Sequence, residues 1–276
     1  MSTPTFTHSE LINEAAYHRL PVFTEKPIDE TAEKIEELFR VADAACIPLC
    51  CSFQRRFDKS YVTCTEAVHQ GVIGTPVSAQ VFFGDHPVPP AEFLRQGGCI
   101  FMDLLAHDVD FILHTLQDQV VSVYATGTSS NVEQLGGVYD NATVVLNLTR
   151  GTSVTLFLSR GAVYGYDQRA TVFGTKGQVA VNNVPEHATV ISNATGVHHA
   201  RLTHSFPQRF EQAFGAELQA FADVLEGEAW PVSAAQCIAV QRVADAAAKS
   251  AAMGCVVPLE ASSSTLPELG TAASLL

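Results

Sequence analysis

The chain has 276 residues, 47% of them hydrophobic, enough for one large domain or two small ones with a sizeable core. Lys and Arg number 16 against 29 Asp and Glu, and the formal net charge of -13 argues against nucleic acid or an anionic membrane surface as partner. Seven cysteines, an odd number without any CxxC spacing, argue against a disulfide framework and a zinc site, and fit reduced thiols in a cytoplasmic compartment. Met1 to Thr7 is too short and polar for a signal peptide, and no apolar run reaches the ~18 residues of a transmembrane helix.

In chain order, the spacing predicts a helix from Thr7 to Arg19, with Thr7 and Glu10 as a capping box. A short strand at Pro21 to Thr24 runs into Glu25-Lys26-Pro27. A second helix spans Thr31 to Cys46, and a second strand spans Pro48 to Phe53. Two strand–helix pairs with apolar strands suggest a parallel sheet covered by helices. A third helix, Phe57 to Gln70, is closed by Gly71, and a strand follows from Val77 to Phe83. Asp85-His86-Pro87-Val88-Pro89-Pro90 is a stiff loop.

The stretch from Gly97 to Leu116 is apolar almost all round, which marks a buried helix. Asp103, His107, Asp110 and His114 fall at i, i+4, i+7 and i+11, one stripe of that helix. Ionisable groups on a buried helix are paired or face a polar cavity. The stripe is therefore expected to turn toward a pocket, delivered by the Gly97-Gly98 loop. The plainer alternative is a core histidine bonded to a neighbouring aspartate.

Beyond this helix, alternating β-branched segments at Val120 to Gly127, Asn141 to Thr149, Thr152 to Ser159, Ala170 to Phe173 and Gln178 to Val181 predict an antiparallel meander. Thr189 to Ser192 is a shorter candidate. Helices at Phe210 to Glu226 and Ala234 to Met253 close the fold, and 261–276 reads as a loose tail. Val144, Leu146, Leu148, Val154, Leu156 and Leu158 are expected on the outward face of the sheet, where so apolar a parity would meet a second copy of the chain.

Three stretches carry reactive side chains. Lys26 ends a parallel strand, the position where open α/β sheets bind ligands, although a solvated surface lysine is the plainer reading. Asp103 and His107 lie on the buried helix. Tyr164-Gly165-Tyr166-Asp167-Gln168-Arg169 places two tyrosines on one face if the segment is extended, or else on a hairpin rim. The ordered set of Glu-Lys-Pro, Gly-Gly with Asp-x-x-x-His, and Tyr-Gly-Tyr-Asp-Gln-Arg resembles the glucose-fructose oxidoreductase/inositol dehydrogenase/rhizopine-catabolism (Gfo/Idh/MocA) family, within it most nearly the inositol 2-dehydrogenases. Pro4-Thr5 with His8, Arg55-Arg56-Phe57-Asp58, Asp85-His86-Pro87, Ser159-Arg160 and Phe173-Gly174 with Gly177 fit the same pattern.

The resemblance implies an oxidoreductase that transfers hydride between NAD or NADP and a cyclic polyol or sugar hydroxyl. Carried over by motif, Lys26, Asp103 and His107 would be the catalytic trio. His107 would take the hydroxyl proton, Asp103 would orient His107 and substrate, and Lys26 would bond the reacting oxygen. Arg55, His86, Tyr164 and Tyr166 would line the polyol site. Pro4, Thr5, His8, Glu25 and Lys26 would lie along the nicotinamide ribose, and no metal is implied.

The expected fold is α/β plus α+β. A truncated Rossmann remnant (1–56) would precede a large, mostly antiparallel sheet domain with helices on one face (57–260) and the loose tail. No GxGxxG follows a first strand, so the family's phosphate-cradling part, two strand–helix units of about 30 residues each, is expected to be missing. Activity of the chain as written is accordingly expected to be weak or absent. A non-catalytic binding or oligomerisation module is the alternative. A metal-dependent hydrolase or isomerase using Asp103, His107 and His86 is a third, disfavoured by a lysine in the same pocket.

Overall fold

The computed structural model describes residues 1–96, 99–130, 135 and 137–260. The Gly97-Gly98 loop and the tail 261–276 lie outside the described residues. Among the described residues no helix is long and apolar enough to cross a membrane. All seven cysteines are unpaired.

The N-terminal part builds a small parallel unit. Helix α1 (His8–Tyr17) leads to β1 (Val22–Thr24), α2 (Ala32–Ala44) and β2 (Leu49–Cys51). β1 and β2 pair in parallel, Val22 opposite Leu49 and Thr24 opposite Cys51. Thr31 caps α2, its side chain accepting from the Lys34 backbone N–H. The capping box expected at Thr7 does not form. Thr5–Thr7 is a 3-10 turn, and the Thr7 hydroxyl donates back to the Pro4 carbonyl at 2.7 Å instead of accepting from the helix.

Helix α3 (Lys59–His69) follows, capped by Asp58, and then β3 (Pro76–Gly84). After a short helix α4 (Ala91–Gln96) comes the buried rod, which opens with a π-helical turn over Phe101–Leu105 and continues as α5 (Ala106–Leu116). The strands β4 (Val120–Thr128), β5 (Asn141–Leu148), β6 (Ser153–Ser159), β7 (Asp167–Gly174), β8 (Gly177–Val181) and β11 (Val257–Pro258) join β3 in one sheet. Its order is β11-β4-β5-β6-β3-β7-β8. The expectation of an antiparallel meander is corrected on one point. β3 inserts between β6 and β7, parallel to β6 and antiparallel to β7. That pairing joins segments some 70 residues apart in sequence, a separation that local alternation cannot signal. β9 (Val190–Asn193) and β10 (Gly196–His199) form a separate exposed hairpin, of which only the first strand is suggested by its pattern. Helices α6 (Phe206–Arg209), α7 (Glu211–Leu225) and α8 (Ala234–Met253) complete the chain.

One face of the sheet packs on α5 and α8. Val144, Leu146, Leu148, Val154, Leu156 and Leu158 are 0–2% exposed, so they face these helices and not solvent. The expected parity is thus reversed: the more apolar parity goes to the helical core, because burial there removes it from water within the chain itself. The outer face carries Tyr124, Phe157 and Phe173 among threonines.

Candidate active site

The lysine after β1 and the π-helical turn meet across the boundary between the parallel unit and the sheet. Lys26 Nζ donates to Asp103 Oδ1 and to the Asp103 carbonyl, both at 2.7 Å. Arg160, just past the end of β6, places Nη1 2.9 Å from Asp103 Oδ2 and 3.9 Å from Asp85 Oδ2. These groups border a cavity of about 530 Å³, whose lining also includes His86, His107, Tyr166 and Phe206. Lys26, Asp103 and His107 therefore converge on one cavity, as the spacing and the strand-end lysine suggest.

The electrostatics follow from this packing. Burial opposes ionisation of Asp103, but Lys26 and Arg160 outweigh it and hold the carboxyl below the usual carboxylate range. Burial, reinforced by the cations of Lys26 and Arg55, lowers the His107 pKa well below that of free imidazole, against the pull of Asp103. His107 is thus neutral at neutral pH. Its Nδ1 is buried and has no hydrogen-bond partner among the described residues, and the same holds for His86 Nδ1. The His86 ring meets His204 edge to face at 5.1 Å. Burial raises the Asp85 pKa, with Arg160 opposing.

The stripe divides. Asp103 and His107 face the cavity, whereas Asp110 is 1% exposed and meets Arg56 Nη2 at 2.6 Å. His114 turns to a second, smaller hollow of about 200 Å³ between α3 and α5, its ring 5.9 Å from His69. Burial pushes its pKa down to about 4. Asp108, off the stripe, is fully buried and pairs with Arg55.

Several expected polyol contacts lie elsewhere. Arg55 is 2% exposed behind the cavity wall, bonded to Asp108 and, at 2.6 Å, to Gln168 Oε1, with its guanidinium over Tyr61 and Phe83. It reaches His107 through its field and does not border this cavity. Tyr166 lines the cavity, but Tyr164 is 58% exposed and donates to Asp167 Oδ2 at 2.8 Å. The two part because Gly165 sits at φ +129° in a turn, so the segment is not extended and its i, i+2 side chains share no face. His86 does line the cavity.

Of the expected ribose neighbours, Glu25 follows β1 directly, and its carboxyl is raised by burial. His8 is buried between the carbonyls of Pro27, 3.0 Å from Nδ1, and Thr3, 2.9 Å from Nε2. Its ring thus ties the Pro4-Thr5 segment to the Lys26-Pro27 turn. Arg160 and Asp85, which complete the charge set, appear in the sequence only as parts of motifs. The available signal for Arg160 is an arginine directly after an alternating apolar strand.

A parallel strand–helix unit joined to an open seven-stranded sheet, with a lysine, an aspartate and a histidine at the seam, makes an α/β plus α+β fold with its candidate site between the two. Residues 61–180 match the GFO/IDH/MocA C-terminal domain family. The chain is 35% identical over 232 residues to a myo-inositol 2-dehydrogenase of Thermotoga maritima, spanning 83% of this chain and 70% of that one. It is 33% identical over 253 residues to an inositol 2-dehydrogenase of Rhizobium meliloti, spanning 91% and 77%. A crystal structure of scyllo-inositol dehydrogenase from Lactobacillus casei with bound NAD(H) and scyllo-inositol superposes with a TM-score of 0.84 at 27% identity, covering 93% of this chain and 78% of that one. The chain belongs to the Gfo/Idh/MocA family.

Proposed function

We propose that the cavity oxidises a secondary hydroxyl of a cyclic polyol of the inositol type, with NAD or NADP as cofactor. The observation that carries this reading is His107, a neutral imidazole that lines the cavity wall together with Lys26 and Asp103. Relatives at 33–35% identity bear inositol dehydrogenase names. The lining fits both parts of such a complex. Phe83, Leu104 and Pro87 offer apolar surface for a planar ring, and the imidazoles of His86 and His107 line the same wall as polar groups suited to hydroxyls. Glu25, Lys26 and the Pro4, Thr5 and His8 segment would hold the ribose side.

A bound nicotinamide would supply the hydride acceptor; the chain's own residues handle the proton. His107 takes it from the reacting hydroxyl, a task for which a neutral imidazole is suited. An ammonium has three N–H donors, and Lys26 directs two of them at Asp103. The third is left for the reacting oxygen, where it stabilises developing negative charge. His86 and Tyr166 set the orientation of the ring. Residues 1–56 serve as the cofactor-side unit and 57–260 as the substrate side. The outer sheet face, with Tyr124, Phe157 and Phe173, is the surface through which we expect copies of the chain to associate. A cytoplasmic location accords with seven free thiols.

The test is spectrophotometric NAD(P)H formation with myo- and scyllo-inositol by wild type and His107→Ala, with calorimetric titration of myo-inositol into the chain. Binding in the cavity is expected, and whatever turnover wild type shows is expected to be lost in His107→Ala. Turnover that survives this change overturns the assignment of the base, and absence of polyol binding overturns the substrate class.

A further inference from the structure

We propose that Arg160 is a positioning residue of this cavity: with Lys26 on the opposite oxygen, it clamps Asp103 and withdraws that carboxylate from the proton path, leaving proton transfer to His107. The last clause rests on the function proposed above; the clamp itself does not.

The geometry is specific. A carboxylate offers two oxygens, and both are engaged by cations, Oδ1 by Lys26 Nζ at 2.7 Å and Oδ2 by Arg160 Nη1 at 2.9 Å. Arg160 is 1% exposed and ranks among the largest fully buried side chains. Its backbone is held in place, its N–H donating to the Asp140 carbonyl at 2.9 Å. A buried guanidinium requires anionic partners, and two carboxylates near it, Asp103 and Asp85, border the cavity. It sits closer to Asp103 by a full ångström.

The charged and titratable groups around Asp103 come from four elements. Lys26 follows β1, Arg160 follows β6, Asp85 follows β3, and His107 lies one turn along the same rod. Two cations on one carboxylate stabilise its ionised form, which makes Asp103 a poor proton acceptor beside a neutral imidazole. Among the described residues no hydrogen bond joins Asp103 to His107, so Asp103 acts on that imidazole through its field. Both oxygens are taken by cations, and His107 Nδ1 has no partner. Asp103 instead sets the direction of Lys26, with Arg160 as the anchor on its far side.

The test needs neither cofactor nor substrate. Carboxyl-carbon NMR titration of the full chain, with Asp103→Asn to assign the signal, reads the midpoint of Asp103 directly. In wild type this carboxyl stays ionised through the ordinary carboxylate range. In Arg160→Gln the midpoint is expected to rise by about 1 to 3 pH units. Arg160→Lys, which keeps the charge and loses the fork, is expected to give a smaller rise in the same direction. Asp85→Asn removes a like charge from beside Asp103, so the Asp103 midpoint should fall or stay low. An unmoved Asp103 signal in folded Arg160→Gln overturns the clamp; should that variant not fold, an unmoved signal in Arg160→Lys overturns it equally. The outcome stands apart from the proposed activity, since a clamped Asp103 in a chain that oxidises no polyol would count against the substrate class alone.

Discussion

The π-helical turn with His107 and the rest of α5 form one continuous rod, and both halves set acids beside basic partners. Their fates differ. In the second half each acid meets an arginine: Asp108 takes Arg55, and Asp110 takes Arg56, which spends further donors on the Pro231 carbonyl at 2.7 Å and Gln236 Oε1 at 3.3 Å. In the first half, Lys26 keeps a third N–H and His107 is a neutral imidazole, and both residues line open volume. Asp108 Oδ2 is idle as well, but borders neither hollow. Buried charge alone therefore does not mark a site. Hydrogen-bonding capacity left over at a cavity wall does.

The sharpest way to break this comparison is to exchange the two halves' phenotypes. His107→Ala is expected to lower kcat/KM for a cyclic polyol by about 10² to 10⁴-fold, the usual worth of a general base, while circular dichroism stays native. Asp110→Ala is expected to do the reverse. It strands the Arg56 guanidinium, which at 3% side-chain exposure cannot turn to water, at a cost of about 3–5 kcal/mol in chemical denaturation. The fraction that remains folded should turn over polyol as wild type does. A stable Asp110→Ala with no activity would place the second half in the site as well.

Glu217 on α7 probes the same criterion outside the cavity. It is 1% exposed, its Oε2 accepts from Ser52 at 2.9 Å, and its Oε1 is buried. Burial, with Glu25 and Asp110 adding to it, pushes its pKa up to about 8 despite the Ser52 bond. A carboxyl that is more basic folded than unfolded binds its proton preferentially in the native state. Its contribution is full below the unfolded value near 4.5 and is lost as pH rises through about 8. Wild-type stability should thus fall across that window by at most about 1.4 kcal/mol per pH unit from this group. Glu217→Gln should flatten that component, as thermal unfolding at stepped pH will report. An identical slope in both proteins would mean that Glu217 is ionised in the fold.

How much of this was legible in the sequence depended on range. The buried rod and the convergence of Lys26, Asp103 and His107 could be read, because helical period and strand-end position are local properties. The division of the stripe could not. His107, Asp110 and His114 all lie on the regular helix α5, so they divide by what each one meets, the cavity, Arg56 or the hollow beside α3, and nothing in the apolar pattern announces those partners. Arg55 was expected to touch substrate, but Asp108, reached only through folding, claims it for the core. Tyr164 and Tyr166 part at a single glycine. The sheet parity was assigned to the wrong face, since alternation separates two faces without saying which one the helices cover. β3 entered the sheet beside a partner that local pattern does not reach.

The smallest expected effect lies at the far end of the same rod. Thr115 is fully buried, and its hydroxyl shares a 2.7 Å hydrogen bond with that of Thr65 on α3. If the second half of the rod is purely structural, this pair is worth only a net hydrogen bond. Thr115→Val should cost about 1 kcal/mol, chiefly by stranding the Thr65 hydroxyl. The double change Thr65→Val with Thr115→Val removes both polar groups and should recover most of that loss, giving a coupling of about 0.5–1.5 kcal/mol in a double-mutant cycle. The corresponding cycle on Lys26 and Asp103 should show recovery of stability without recovery of turnover, because apolar replacements there leave nothing to meet a reacting oxygen. If the Thr65–Thr115 double variant instead loses polyol turnover while remaining folded, the second half of the rod reaches the chemistry after all.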